Sequence, residues 1–129
     1  MQRNECDYTL AFRRLCDAVD ERADAEVRAL FLRPNEYEAW AVKWRSRMAR
    51  DQQSAQERSE SMRRCNPAFI PRNHRVEQVI SAAYERADFA PFEELLLVLS
   101  RPYEEQAALE AYAAPPQPGE RVLQTFCGT

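Results

Sequence analysis

The sequence predicts an all-α protein, a small bundle of about six short helices followed by an extended C-terminal tail. Three observations lead there. Apolar residues recur at the i, i+3, i+4, i+7 spacing of a single helical face. No stretch alternates with the period of two that marks a strand. The 129 residues include two glycines, Gly119 and Gly128, and 30% of the chain is charged, a composition that suits helices.

Phe12, Leu15, Cys16 and Val19 form the first apolar stripe. Val27, Leu30 and Phe31 mark a shorter second helix that stops before Pro34, because the residue ahead of a proline disfavours the α region. Tyr37, Trp40, Ala41, Trp44 and Met48 give the third stripe, the most aromatic in the chain. Ser54 with Glu57 three residues later reads as a capping box, opening a fourth helix that reaches about Arg64 before Asn66-Pro67 breaks it.

Pro71 suits the first turn of a fifth helix, where its missing N–H costs nothing, and Val76, Val79, Ile80 and Ala83 supply the buried face. Asp88 and Pro91 start a sixth, with Phe92, Leu95, Leu96 and Leu99 inward and Leu97 and Val98 in surplus. Six apolar residues in the eight positions from Phe92 to Leu99 exceed one stripe, so part of this surface is expected to meet something outside the chain. Arg101-Pro102 ends the helix. A weaker helical stretch, Glu104 to Ala113, leads into Pro115, Pro116, Pro118 and Gly119. The expected division is a helical domain over 1–114 and a Pro-rich extended tail over 115–129 that carries Cys127.

Composition also excludes functions. Walker, dinucleotide and kinase glycine-rich loops need several glycines at fixed spacing, and two isolated glycines cannot build one. The longest apolar run, Leu95 to Leu99, falls far short of the roughly 20 residues of a membrane span, so no membrane partner is expected. The polar start, MQRNECDY, offers no secretory leader, and a cytoplasmic location is the expectation. The formal net charge is −3, unevenly spread: residues 43–64 carry seven positive and three negative groups, and residues 88–129 carry two positive and seven negative. The basic stretch reads as solvated helix arginines, and no nucleic-acid partner is expected.

Few residues suggest chemistry. Cys6, Cys16, Cys65 and Cys127 include no CxxC pair, so the zinc-site signature is missing and no metal is expected. Cys16 sits on an apolar stripe as a small hydrophobe, and Cys65 ends a helix just before Asn66-Pro67, where a structural role is the plainer reading. Cys127, third from the end between Phe126 and Gly128, is placed as a thiol that can travel to a partner sulfur. His74, the single histidine, is expected on the exposed first turn of the fifth helix without a nucleophile at motif spacing. Glu93-Glu94 and Glu104-Glu105 are adjacent pairs, which do not face each other on a helix and read as solvated faces. Trp40 and Trp44 share a face at i, i+4 and read as core packing ahead of ligand stacking. By residue chemistry alone the chain holds no catalytic site.

The run NPAFIPRNHRVEQVISAA (66–83) resembles the C-terminal region of the selenoprotein O (SelO) family, in which Asn-Pro and a short apolar stretch precede an Arg-Asn that opens a helix. The segment DFAPFEELLLVLSRPYEE (88–105), the following AAPP and the terminal Cys-Gly-Thr resemble the rest of that region, and DYTLAFRRL (7–15) is similar to the family's Asp-Tyr-Thr segment. The resemblance implies a parent with a protein-kinase-like fold that transfers AMP from ATP to hydroxyl side chains of proteins, using a divalent metal such as Mg. It also implies that those catalytic positions precede Asp7, so none is carried here and no cofactor binds this chain. The implied partner is the kinase-like core of the family, in cis or as a separate chain, and protein substrates are reached through it. Cys127 occupies the position where selenoprotein members place selenocysteine, which implies a redox link to a core cysteine; Gly128-Thr129 depart from the serines that often end the family's tail. Two readings follow: the C-terminal helical part of a SelO-like adenylyltransferase, or a freestanding helical interaction module, with a homodimer through the exposed apolar patch as a further partner.

Overall fold

The computed structural model describes residues 2–122 and 124. Among them lie six α-helices and no strand: α1 (Tyr8–Leu15), α2 (Asp24–Arg28), α3 (Pro34–Met48), α4 (Ala55–Cys65), α5 (Asn73–Arg86) and α6 (Ala90–Ser100). Short 3-10 helices occur at Gln2–Asn4, Glu21–Ala23, Ala107–Tyr112 and Pro118–Glu120. The chain forms two compact units, Met1–Pro67 and Ala68–Thr129.

In the first unit α1 and α4 start where a side chain supplies an acceptor for unmet backbone donors, whereas α2 and α3 have no side-chain cap. Asp7 caps α1 by accepting from the Leu10 N–H at 2.8 Å. Pro34 does more than end the preceding segment: α2 already stops at Arg28, and Pro34 opens α3 from its first turn, where the missing N–H costs nothing. Ser54 and Glu57 form the expected capping box of α4, the Glu57 carboxylate accepting from the Ser54 N–H at 2.8 Å. The core gathers Leu15, Ala18, Val27, Tyr37 and Ala41, with Phe12, Phe31, Trp44 and Met62 packed around it. A fully buried side chain such as Val27 contributes about 1.5–3 kcal/mol.

The second unit departs from the sequence expectations at several points. Pro71 precedes α5 instead of lying in its first turn: the Arg72 N–H turns back to the Ile70 carbonyl at 2.8 Å, which keeps Arg72 extended as the N-cap. Helix α5 buries His74, Val79 and Ala82, and Ile80 is half exposed. It ends at Ala87, whose φ of 50° is a left-handed cap that glycine normally fills. The inward face of α6 is Leu95 and Val98, with Leu99 partly covered; Phe92 and Leu96, expected inward, are about half exposed. The register is set by Val98, which packs on Ala68 and Phe69, and an 11-residue helix with a small core beneath it buries one narrow stripe. Beyond α6 the expected weak helix is a 3-10 helix kinked at Leu109, held where the Gln106 amide donates to the Val98 and Arg101 carbonyls at 3.0 and 3.1 Å. The Pro-rich stretch is not simply extended, because Gln117 and Glu120 box a further 3-10 turn.

Candidate functional site

Two of the segments that carry the family resemblance meet inside the first unit. Arg13 of α1 is nearly buried, and its Nη1 donates to the carbonyls of Arg63 and Asn66 at 3.2 and 2.9 Å. These carbonyls belong to the end of α4, where a cation satisfies orphan acceptors and opposes the helix dipole. Asn66 continues the clasp: its backbone N–H and its Nδ2 both donate to the Met62 carbonyl at 2.9 Å. Arg63 in turn pairs with Asp17, just beyond α1. The DYTLAFRRL segment and Asn66-Pro67 thus form one structural knot.

A second polar group lies beside the core. The Tyr37 hydroxyl donates to Asp24, and Arg45 Nη2 sits 2.7 Å from the same carboxylate. Burial, then the bond to Asp24, pushes the Tyr37 phenol well above its ordinary value. This tyrosine is held neutral as a donor and is not poised as a base.

The cysteines divide by environment. Cys16 is fully buried, with Sγ 3.3 Å from the Phe12 carbonyl, and burial pushes its thiol up. Cys6 is half-buried and also raised, by burial and then by Asp7. Cys65 is exposed at the end of α4. Cys127, the one site residue the sequence nominated, lies outside the described residues.

His74 corrects an expectation. Instead of standing in solvent it is 5% exposed, flanked by Arg72 and by the segment reaching Val122. Burial, then the positive charges of Arg75 and Arg72, lowers its pKa, and Glu120 acts in the opposite sense. Glu93, Glu94, Glu104 and Glu105 are exposed, as expected. Glu94 accepts from the Tyr112 hydroxyl, which burial and that bond push up to about 12. Trp44 packs on the core, whereas Trp40 is 45% exposed and stacked on it with ring centroids 5.4 Å apart. Among the described residues no three His, Cys, Asp or Glu side chains are grouped to hold a metal ion.

Sequence reasoning missed Arg13, Asn4 and the Tyr37–Asp24–Arg45 group. Arg13 and Asn66 are 53 positions apart, and no local spacing links a helix arginine to a distant turn.

Comparison with known proteins decides the family. The model of the family described as Protein adenylyltransferase SelO matches residues 1–100. The chain belongs to the SelO family. Among its SelO relatives, the protein nucleotidyltransferase YdiU of Bradyrhizobium sp. strain BTAi1 is 60% identical over 125 residues, covering 97% of this chain and 26% of the relative. The YdiU proteins of Rhodopseudomonas palustris (strain ATCC BAA-98 / CGA009) and Rhizobium meliloti are 57% and 58% identical over 130 residues, covering 100% of this chain and 26% of each relative. The chain therefore spans about a quarter of the length of these SelO proteins. The matched region holds the whole Arg13–Asn66 clasp and α5 and α6.

Proposed function

We propose that this SelO chain is the C-terminal helical portion of a protein adenylyltransferase, one that transfers AMP from ATP to hydroxyl side chains of proteins, and that it carries no catalytic residue of its own. The observation that carries this reading is the family match over residues 1–100 in a chain that covers only 26% of its relatives. Two scattered glycines give it no phosphate-cradling loop of the P-loop or kinase type.

Its work is instead to dock and to regulate, within the cytoplasm. Phe89, Phe92, Leu96 and Leu97 are each about half exposed on and beside α6, an apolar surface suited to the kinase-like core that fills the remaining length of the family's chains. Cys127 supplies a thiol for a disulfide with a core cysteine: two thiols lose two protons and two electrons to an added oxidant, and the S–S bond forms.

Incubated with labelled ATP and a protein acceptor, the 129-residue chain alone is expected to transfer nothing, while a full-length relative transfers AMP. Transfer by the chain alone overturns the reading. Under oxidation the Cys127→Ser change should abolish the mixed disulfide with the core; persistence of the link assigns it to another cysteine. The same exposed α6 surface favours a second reading, a freestanding interaction module, or a homodimer paired through that face, which light scattering on the isolated chain would reveal.

A further inference from the structure

The segment from Pro115 to Val122 lies against the first turns of α5 and leaves two cavities between them, of about 390 and 520 Å³. His74 and Val122 line both; Gln78 and Glu120 join them in the first, Pro116 and Arg121 in the second. This strap is lightly held. None of its residues is buried, and the hydrogen bond from Gln78 Nε2 to Glu120 Oε1 is long, at 3.4 Å. The chain just ahead of it is anchored better. Arg75 Nη2 donates to the Ala111 carbonyl at 2.7 Å, and the Arg75 guanidinium carbon sits 5.5 Å from the Tyr112 ring centroid, within cation–π range.

Beside the strap, His74 is 5% exposed and its Nε2 is buried with no hydrogen-bond partner. A neutral imidazole tolerates this, because one ring nitrogen carries no hydrogen; the imidazolium has two N–H donors and a positive charge to satisfy. The surroundings oppose that charge. His74 is the second residue of α5, at the positive end of the helix dipole. Arg72, Arg75 and Arg86 surround it from α5 and its N-cap, and Arg121 from the strap; the carboxylates are Glu77 on α5 and Glu120 on the strap. Glu120 is already occupied, by the Gln117 N–H at 2.9 Å and by Gln78. A buried cation without a partner is costly, and the cheapest remedy is to let water reach the ring. Lifting the strap does so without disturbing Ala68, Phe69 and Val98, the core of this unit.

We propose that residues 115–122 form a proton-operated strap, closed on α5 while His74 is neutral and released when His74 takes up a proton, with Ala111 and Tyr112 as its fixed end. The lowered pKa of His74 sets the direction: closure is complete above the ordinary histidine value near 6.5 and is lost as pH falls through the window beneath it. The device needs no residue outside the second unit and does not depend on the redox role proposed for Cys127.

The test is an NMR titration of the isotope-labelled 129-residue protein from about pH 7.5 to about pH 4.5, which brackets histidine titration. It follows the imidazole of His74, the single histidine, the Gly119 amide in the strap and the Val98 methyls in the core. Gly119 should move with the same midpoint as His74, below about 6.5, with the open population rising about tenfold per pH unit in that window, while Val98 stays native. His74→Gln cannot take up the proton and should hold Gly119 at its closed position throughout. Val122→Asn loosens a half-buried strap residue without adding charge, and should raise both midpoints together toward the ordinary value. Separate midpoints for His74 and Gly119, a Gly119 transition that persists in His74→Gln, no rise in Val122→Asn, or loss of Val98 together with Gly119 overturns the proposal.

Discussion

The two units solve the same problem, a helical core in some 65 residues, in opposite ways. The first closes on itself: Tyr37 sits at the centre of its core, and its buried polar groups are tied across long stretches of sequence, Asn4 to Glu36 and Arg13 to Asn66. The second has a smaller core around Ala68, Phe69 and Val98, and leaves Ile80, Tyr84, Phe89, Phe92, Leu96, Leu97 and Tyr103 exposed. Among the described residues the first unit exposes fewer large hydrophobics, Tyr8, Leu32, Trp40 and Val42. Nature has also given each unit its own reporter. Both tryptophans lie in the first and the single histidine in the second, so each can be followed without labels.

The most severe test of this contrast is Phe69→Ala. Removing the ring from a site that is 2% exposed should cost about 3–5 kcal/mol. Hydrogen exchange is expected to show lost protection in α5 and α6 with α1 and α3 unchanged; equal loss in both units would mean that they unfold as one and the contrast dissolves. Next comes Arg13→Ala, which strands two carbonyls at the end of α4 and should destabilise the first unit by about 3 kcal/mol, read as an earlier urea midpoint of tryptophan fluorescence. An unshifted midpoint would reduce the clasp to a surface contact.

Smaller effects sharpen the picture. Ala87→Gly relieves a left-handed non-glycine cap and should stabilise the second unit by about 1 kcal/mol in thermal unfolding, where loss of stability would contradict the cap geometry. The least effect is one of pH. His74 has a lowered folded-state pKa, so below its ordinary value near 6.5 the unfolded chain holds the proton more readily. The His74 contribution is therefore complete above that value and is lost as pH falls through the window beneath it. Replacing His74 with Gln should flatten this part of the stability–pH curve; an unchanged slope would assign it to the carboxylates.

Much of this fold was legible in advance because its signals are local. The Ser54–Glu57 box and the third stripe depend on neighbours within one or two turns; the box stands as read, and the stripe does at Tyr37, Ala41, Trp44 and Met48 but not at the exposed Trp40. Cys16 was placed correctly as a buried hydrophobe for the same reason. His74 was misread because the groups that cover it include the segment near Glu120, more than forty residues onward, and no local pattern announces such a contact. The α6 stripe was rotated for a related cause. With six apolar residues in eight positions any face looks buried, and only the packing of Val98 on Ala68 and Phe69 selects one.

What the sequence by itself determined is the helical class, the starts of α4 and α6, the absence of a glycine-rich phosphate loop and, through its motifs, the SelO family. These follow from periodicity, capping and composition, which act over a few residues. Tertiary structure alone decided which polar side chains are buried and what they hold: Arg13 on the end of α4, Asn4 on Glu36, Tyr37 on Asp24. A buried polar group must find a partner wherever the fold supplies one, and that partner is set by three-dimensional proximity rather than by spacing along the chain.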